Sequence, residues 1–67
     1  MTLTAILIPE NDGGFIALNP ETGTTTQGDN LIGAVANLKE ATELYLDEFS
    51  FEVTEKPFVT TFEVAHA

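Results

Sequence analysis

The stretch Leu31 to Ser50, LIGAVANLKEATELYLDEFS, decides how this chain folds, because its apolar residues recur at helical and not at strand spacing. At about 100° per residue, Leu31, Ala34, Val35, Leu38, Ala41, Thr42, Tyr45, Leu46 and Phe49 fall on one broad stripe. Glu40, Glu43 and Asp47 fall opposite it. Asn30, just ahead, suits an N-cap because its side-chain oxygen can accept from the free amides of the first turn, and Asp29 suits the positive end of the helix dipole. Ile32 and Gly33 follow where acidic residues would complete a capping box, which weakens the helix start by about 1 kcal/mol in propensity. Two aliphatics leave the stripe. Ile32 and Leu44 are either ordinary exposed side chains or contacts for another protein.

Upstream of the helix the period is that of strands. Leu3 to Ile8 is rich in Ile and Leu and stops at Pro9, with Leu3, Ala5 and Leu7 on one face and Thr2, Thr4, Ile6 and Ile8 on the other. Glu10-Asn11-Asp12-Gly13-Gly14 supplies turn residues, with positive φ expected at Gly14, and Phe15 to Leu18 resumes a strand, making a hairpin. Asn19-Pro20-Glu21-Thr22-Gly23 forms a second turn. Thr24 to Gln27 is β-prone but polar, as an exposed edge requires, and Gly28-Asp29 ends it. Downstream, Phe58 to Ala65 alternates again, with Phe58, Thr60, Phe62 and Val64 on one face and Val59, Thr61, Glu63 and Ala65 on the other. The expected fold is therefore α+β in the order β-β-β-α-β. A helix crossing back over the sheet delivers the last strand beside the first, giving spatial order 3-2-1-4 with a right-handed crossover. One helix covers one sheet face, so a second subunit is expected on the other.

A length of 67 residues allows one domain, spanning 1–67, and at this size apolar burial and the entropy of chain ordering nearly cancel. With no Cys and a single His, neither disulfides nor a structural zinc can add stability. Self-association is the remaining route, as a homodimer or homotetramer. The charge balance is more selective: eleven acidic residues against Lys39 and Lys56 give a net charge of −9. Such a chain repels a phosphate backbone, so direct nucleic-acid binding is not expected, and an anionic membrane surface is disfavoured on the same ground. There is no apolar run of about 18 residues to span a bilayer, and Met1-Thr2-Leu3-Thr4 lacks the basic segment of a signal peptide, so a cytoplasmic protein is expected. The acidity itself serves either solubility or a basic partner.

The runs Asp12-Gly13-Gly14-Phe15-Ile16-Ala17, Pro20-Glu21, Gln27-Gly28-Asp29 and Asn37-Leu38-Lys39-Glu40-Ala41-Thr42-Glu43-Leu44-Tyr45-Leu46 resemble, in order and spacing, the HicB-like antitoxin family. The likeness spans roughly positions 3 to 50, and Thr60-Thr61-Phe62-Glu63-Val64 resembles that family's last strand. It implies a truncated ribonuclease-H-like sheet and an antitoxin that neutralises a small basic mRNA-cleaving toxin of the HicA type. The chain departs from the family pattern at Pro20-Glu21-Thr22-Gly23, one residue shorter than the usual turn and followed by Thr24, and at Ile32-Gly33. The DNA-binding segment that many members carry after this domain is not expected here, which puts the family's transcriptional autoregulation in doubt for this chain.

A ribonuclease-H-like sheet raises the question of catalysis. That chemistry gathers three or four carboxylates around metal ions at strand ends, and the first strand here carries none, while Asp12, Glu21 and Asp29 are explained by turns and capping. His66 has no Ser, Cys or carboxylate at a catalytic spacing, Gly13-Gly14 and Gly23 are turn glycines and not a phosphate loop, and Tyr45 belongs to the core stripe. No catalytic, cofactor-binding or metal-binding residue is expected. The function classes rank as an antitoxin-like protein-binding module, then a small oligomeric domain for another protein or a small ligand, then an enzyme. For partner binding, the helix patch Glu40, Glu43, Leu44 and Asp47 ranks first, as an apolar anchor among charges, with Glu10 and Asp12 second.

Overall fold

A computed structural model describes residues 1–49 and 56–66. Three short strands, β1 (Ile6–Pro9), β2 (Phe15–Leu18) and β3 (Thr25–Gly28), form an antiparallel sheet in that order, and α1 (Leu31–Glu48) packs on one face. The architecture is α+β. Ile6 and Ile8 lie opposite Leu18 and Ile16 across the first pair, while Ala17 lies between Leu7 and Thr26. Alternation sends Leu7, Phe15, Ala17, Thr26 and Gly28 toward the helix, and Ile6, Ile8, Ile16 and Leu18 to the open face.

The core is small. Among the described residues, Ala17, Ala34 and Leu38 are buried and apolar, with Leu7 and Phe15 packed against them. Two alanines at the centre mean that helix and sheet approach closely, and Gly28 permits the approach. A Cβ added there would lie 2.4 Å from the Ala34 nitrogen and 2.6 Å from its Cα, distances that backbone atoms cannot yield to. Thr26 and Asn37 tie the same region: Thr26 Oγ1 donates to the Ala34 carbonyl at 3.4 Å and Asn37 Nδ2 to the Gln27 carbonyl at 2.7 Å.

The helix starts where capping chemistry places it, with Asn30 Oδ1 accepting from the Gly33 amide at 2.7 Å. It ends at Phe49, whose backbone is extended and whose amide donates to the Tyr45 carbonyl. The expected limit at Ser50 and the connector 50–55 lie outside the described residues. Of the expected stripe, Ala34, Leu38 and Thr42 are buried, whereas Leu31, Val35 and Phe49 are exposed. For Leu31 and Phe49 the reason is length: 18 helical residues run about 27 Å, while strands of four residues run about 13 Å, so the helix overhangs the sheet.

Three expectations are corrected. Regular pairing of β1 begins at Ile6, not Leu3, because the segment before it is held by side chains and not by a ladder, and it extends through Pro9. The left-handed backbone of the first turn is at Gly13 (φ +95°), and Gly14 is not left-handed. Its constraint is steric, a Cβ there meeting the Gly28 carbonyl oxygen at 3.0 Å. Finally, Phe58 to Ala65 forms no strand in the single chain, and every residue from 56 to 66 is exposed, Phe58 almost completely. Alternation gives that segment its strand character, but no sheet edge in its own chain holds it.

Candidate functional site

The two turns place the carboxylates. In the first, the Glu10 amide donates to the Gly14 carbonyl (2.8 Å), the Gly13 amide to the Glu10 carbonyl (3.1 Å) and the Gly14 amide to Asp12 Oδ1 (3.0 Å). Asp12 closes the loop with one oxygen. It stays exposed, and Glu10 is half-buried beside it. Across from this turn, the end of β3 and the first turns of α1 bring up Gln27, Gly28, Asp29 and Asn37, and the two sides enclose an open cleft of about 530 Å³. Three carboxylates, Glu10, Asp12 and Asp29, line it, and none of its lining residues is basic. Among the described residues no group of three His, Cys, Asp or Glu is arranged to hold a metal ion. The carboxylates are spread around the cleft and suit hydrogen-bonding cations such as guanidinium or ammonium groups.

The helix patch continues from this cleft. Asn37 lies on its rim, and at helical spacing Glu40, Leu44 and Asp47 fall along the same side of α1 as Asn37. Leu44 is 63% exposed, and Glu40, Glu43 and Asp47 are exposed around it. Ile32, 82% exposed, lies on the other flank of the polar face. The two patches read as separate in the sequence, Glu10 with Asp12 and the helix group, thus border one another through Asn37. Asp29, which sequence reading assigns to the turn after the third strand and to the helix dipole, joins the cleft as its third carboxylate.

Glu21 behaves differently from these. It points into the second turn, where its carboxylate accepts from the Thr4 amide (2.9 and 3.2 Å), the Thr4 hydroxyl (2.8 Å) and Asn19 Nδ2 (2.6 Å). Desolvation raises its pKa, but hydrogen bonds from the Thr4 amide and hydroxyl, from its own amide and from Asn19 outweigh that and hold the carboxyl below its ordinary value. Asn19 is 1% exposed and fully used, since it also donates to the Thr4 carbonyl (2.8 Å) and accepts from the amide and hydroxyl of Thr22. Its burial gives no sequence signal beyond that of an ordinary turn asparagine.

A second concavity, about 420 Å³, lies on the other side of α1 among Met1, Leu3, Lys39, Thr42, Glu43 and Leu46. The Thr42 hydroxyl beside it is buried and has no hydrogen-bond partner among the described residues. No helix among the described residues is long and apolar enough to cross a membrane. No family model, curated protein or solved structure matches the chain.

Proposed function

We propose that this chain is a cytoplasmic, antitoxin-like protein-binding module whose acidic face takes a small basic mRNA-cleaving toxin of the HicA type. The supporting observation is the run of negative charge from Glu10, Asp12 and Asp29 in the cleft to Glu40 and Asp47 on the helix, with the exposed Leu44 set into it. A nuclease that grips RNA presents a basic surface, and a partner of charge −9 is complementary to it. Charge accelerates encounter, while retention needs a desolvated anchor, the part assigned to Leu44. The cleft suits Lys or Arg side chains of such a partner, each taken by carboxylates that have no cation of their own in the lining. The same reading completes the sheet to the order 3-2-1-4 of a truncated ribonuclease-H-like fold once a Phe58 to Ala65 segment, from this chain or a second copy, is added beside β1.

The test is co-expression with the product of any short basic open reading frame adjoining this chain's gene, scoring growth rescue and co-purification. Rescue with a stable complex supports the proposal. A toxic neighbour that is neither bound nor neutralised overturns it, and so does wild-type association kinetics in the triple variant Glu40→Lys, Glu43→Lys, Asp47→Lys combined with Glu10→Gln and Asp12→Asn.

A further inference from the structure

Among the described residues, strand β1 has a neighbour on one side only. The Glu10 amide bonds the Gly14 carbonyl, so alternation along β1 turns Ile6 and Ile8 toward β2 and leaves the N–H and C=O of Leu7 pointing outward. Pro9, lacking an N–H, shares that outward register, which an edge position tolerates. Beside this edge, on the helix side, lies the recess of about 420 Å³ with Leu3 and Leu46 in its wall and the unpartnered Thr42 hydroxyl next to it. The chain thus has a free strand edge, an apolar recess and an unmatched buried hydroxyl in one place. It also has a loose segment of matching pattern, Phe58-Val59-Thr60-Thr61-Phe62-Glu63-Val64-Ala65, exposed throughout.

We infer that the 58–65 segment of a second copy pairs with the free edge of β1, seating Phe58 and Phe62 in the recess and bringing the Thr60 hydroxyl between them to the Thr42 hydroxyl. The exchange is reciprocal, each copy supplying the strand that the other lacks, so the assembly closes as a twofold dimer. Three observations favour a second copy over the segment's own chain. First, α1 ends at Phe49 in extended backbone, without the left-handed residue that commonly reverses a chain at a helix end. Second, Pro57 biases Lys56 toward extended backbone, so the chain enters the segment running on and not turning back. Third, the single chain is too open for its size. Its accessible surface of 5475 Å² exceeds by about a third the roughly 4,100 Å² of a compact protein of this mass. Its radius of gyration, 13.8 Å, likewise exceeds the roughly 11 Å of a compact chain of this length. The surplus area is more than the roughly 800 Å² that each partner contributes to a standard interface.

This inference involves no toxin, and its test is made on the full chain alone. Sedimentation equilibrium at about 100 µM should return the mass of two chains. In a mixture of isotope-labelled and unlabelled protein, nuclear Overhauser contacts from the Phe62 ring to Leu3 and Leu46 should run between chains. Phe62→Asp should raise the dimer dissociation constant at least about 100-fold. A monomer mass overturns the inference. So does a dimer in which Phe62 meets Leu3 and Leu46 of its own chain, or one in which it meets neither, or a dimer undiminished by Phe62→Asp.

Discussion

The turns Glu10–Gly14 and Asn19–Thr24 draw on the same residue types, Asn, Glu and Gly, to reverse the same sheet. In the second, Asn19 and Glu21 point inward, and their polar atoms replace the ladder that the N-terminal segment lacks, through Thr4. In the first, Asp12 uses one oxygen on the Gly14 amide, and its other oxygen and the Glu10 carboxylate remain for the cleft. A carboxylate in a turn is therefore structural or available according to what the neighbouring chain offers it. Partners decide which: Glu21, half-buried like Glu10, is held by Thr4 and Asn19, whereas Asp12 is open to solvent.

That contrast can be broken most directly at Asn19. Asn19→Ala removes the buried side chain that pairs the part-buried Thr4 carbonyl and Thr22 amide, so denaturant unfolding should show a loss of about 2 kcal/mol. A loss below about 1 kcal/mol would mean that water replaces the side chain without penalty. Gly14→Val should cost about 2 kcal/mol, from the added Cβ against the Gly28 carbonyl and the β-branch beyond it, read as a lower melting temperature. Gly13→Ala tests the same turn through strain alone, and should cost about 1 kcal/mol.

Glu21 sharpens the comparison through pH. Its folded-state pKa lies below the ordinary 4.5, so its stabilising contribution is complete above that value and is lost as pH falls through the lowered one. Glu21→Gln should therefore be less stable than the parent at pH 7 by about 1 kcal/mol, with the gap closing below about pH 4. A gap that is constant with pH would remove the ionised carboxylate from the account. At the small end, Asp12→Asn keeps the oxygen that Gly14 uses, and Glu10→Gln touches no bond in the turn that involves its side chain. The pair should leave the melting curve unchanged while slowing association with a basic partner and flattening its salt dependence. Loss of stability in that double variant would place the first turn in the same class as the second.

Much of this was legible in the sequence where the signal is periodic. The helix from Leu31, its Asn30 cap, the strand Phe15–Leu18 and the outward placement of Ile32 and Leu44 all follow from spacing. What was not legible depends on neighbours distant in the chain. Asp-Gly-Gly offers two glycines able to take positive φ, and nothing local selects Gly13 over Gly14. Asn19 looks like any turn asparagine until Thr4 is brought against it. Leu31 and Phe49 carry the core stripe past the ends of strands whose shortness the helix pattern does not encode. The alternation of Phe58 to Ala65 announces a strand and is silent on which edge, or which chain, receives it. Within the site, Asp29 was hidden because an acidic residue before a helix already has an electrostatic explanation.

Gly28 has a consequence for how this surface can diverge. Its missing side chain lets the helix lie against β3, so the distance between the cleft walls is set at a position that contributes no chemistry to the cleft. Drift at Glu10, Asp12 or Glu40 changes the charge shown to a partner and leaves that distance alone, because none of the three lies in the core. Lineages of this chain should thus be able to exchange one recognition pattern for another by single surface substitutions, holding residue 28 fixed throughout. A library randomised at both kinds of position and selected for folding should return glycine at 28, near-random composition at 10 and 40, and at 12 a preference for side chains with an oxygen for the Gly14 amide.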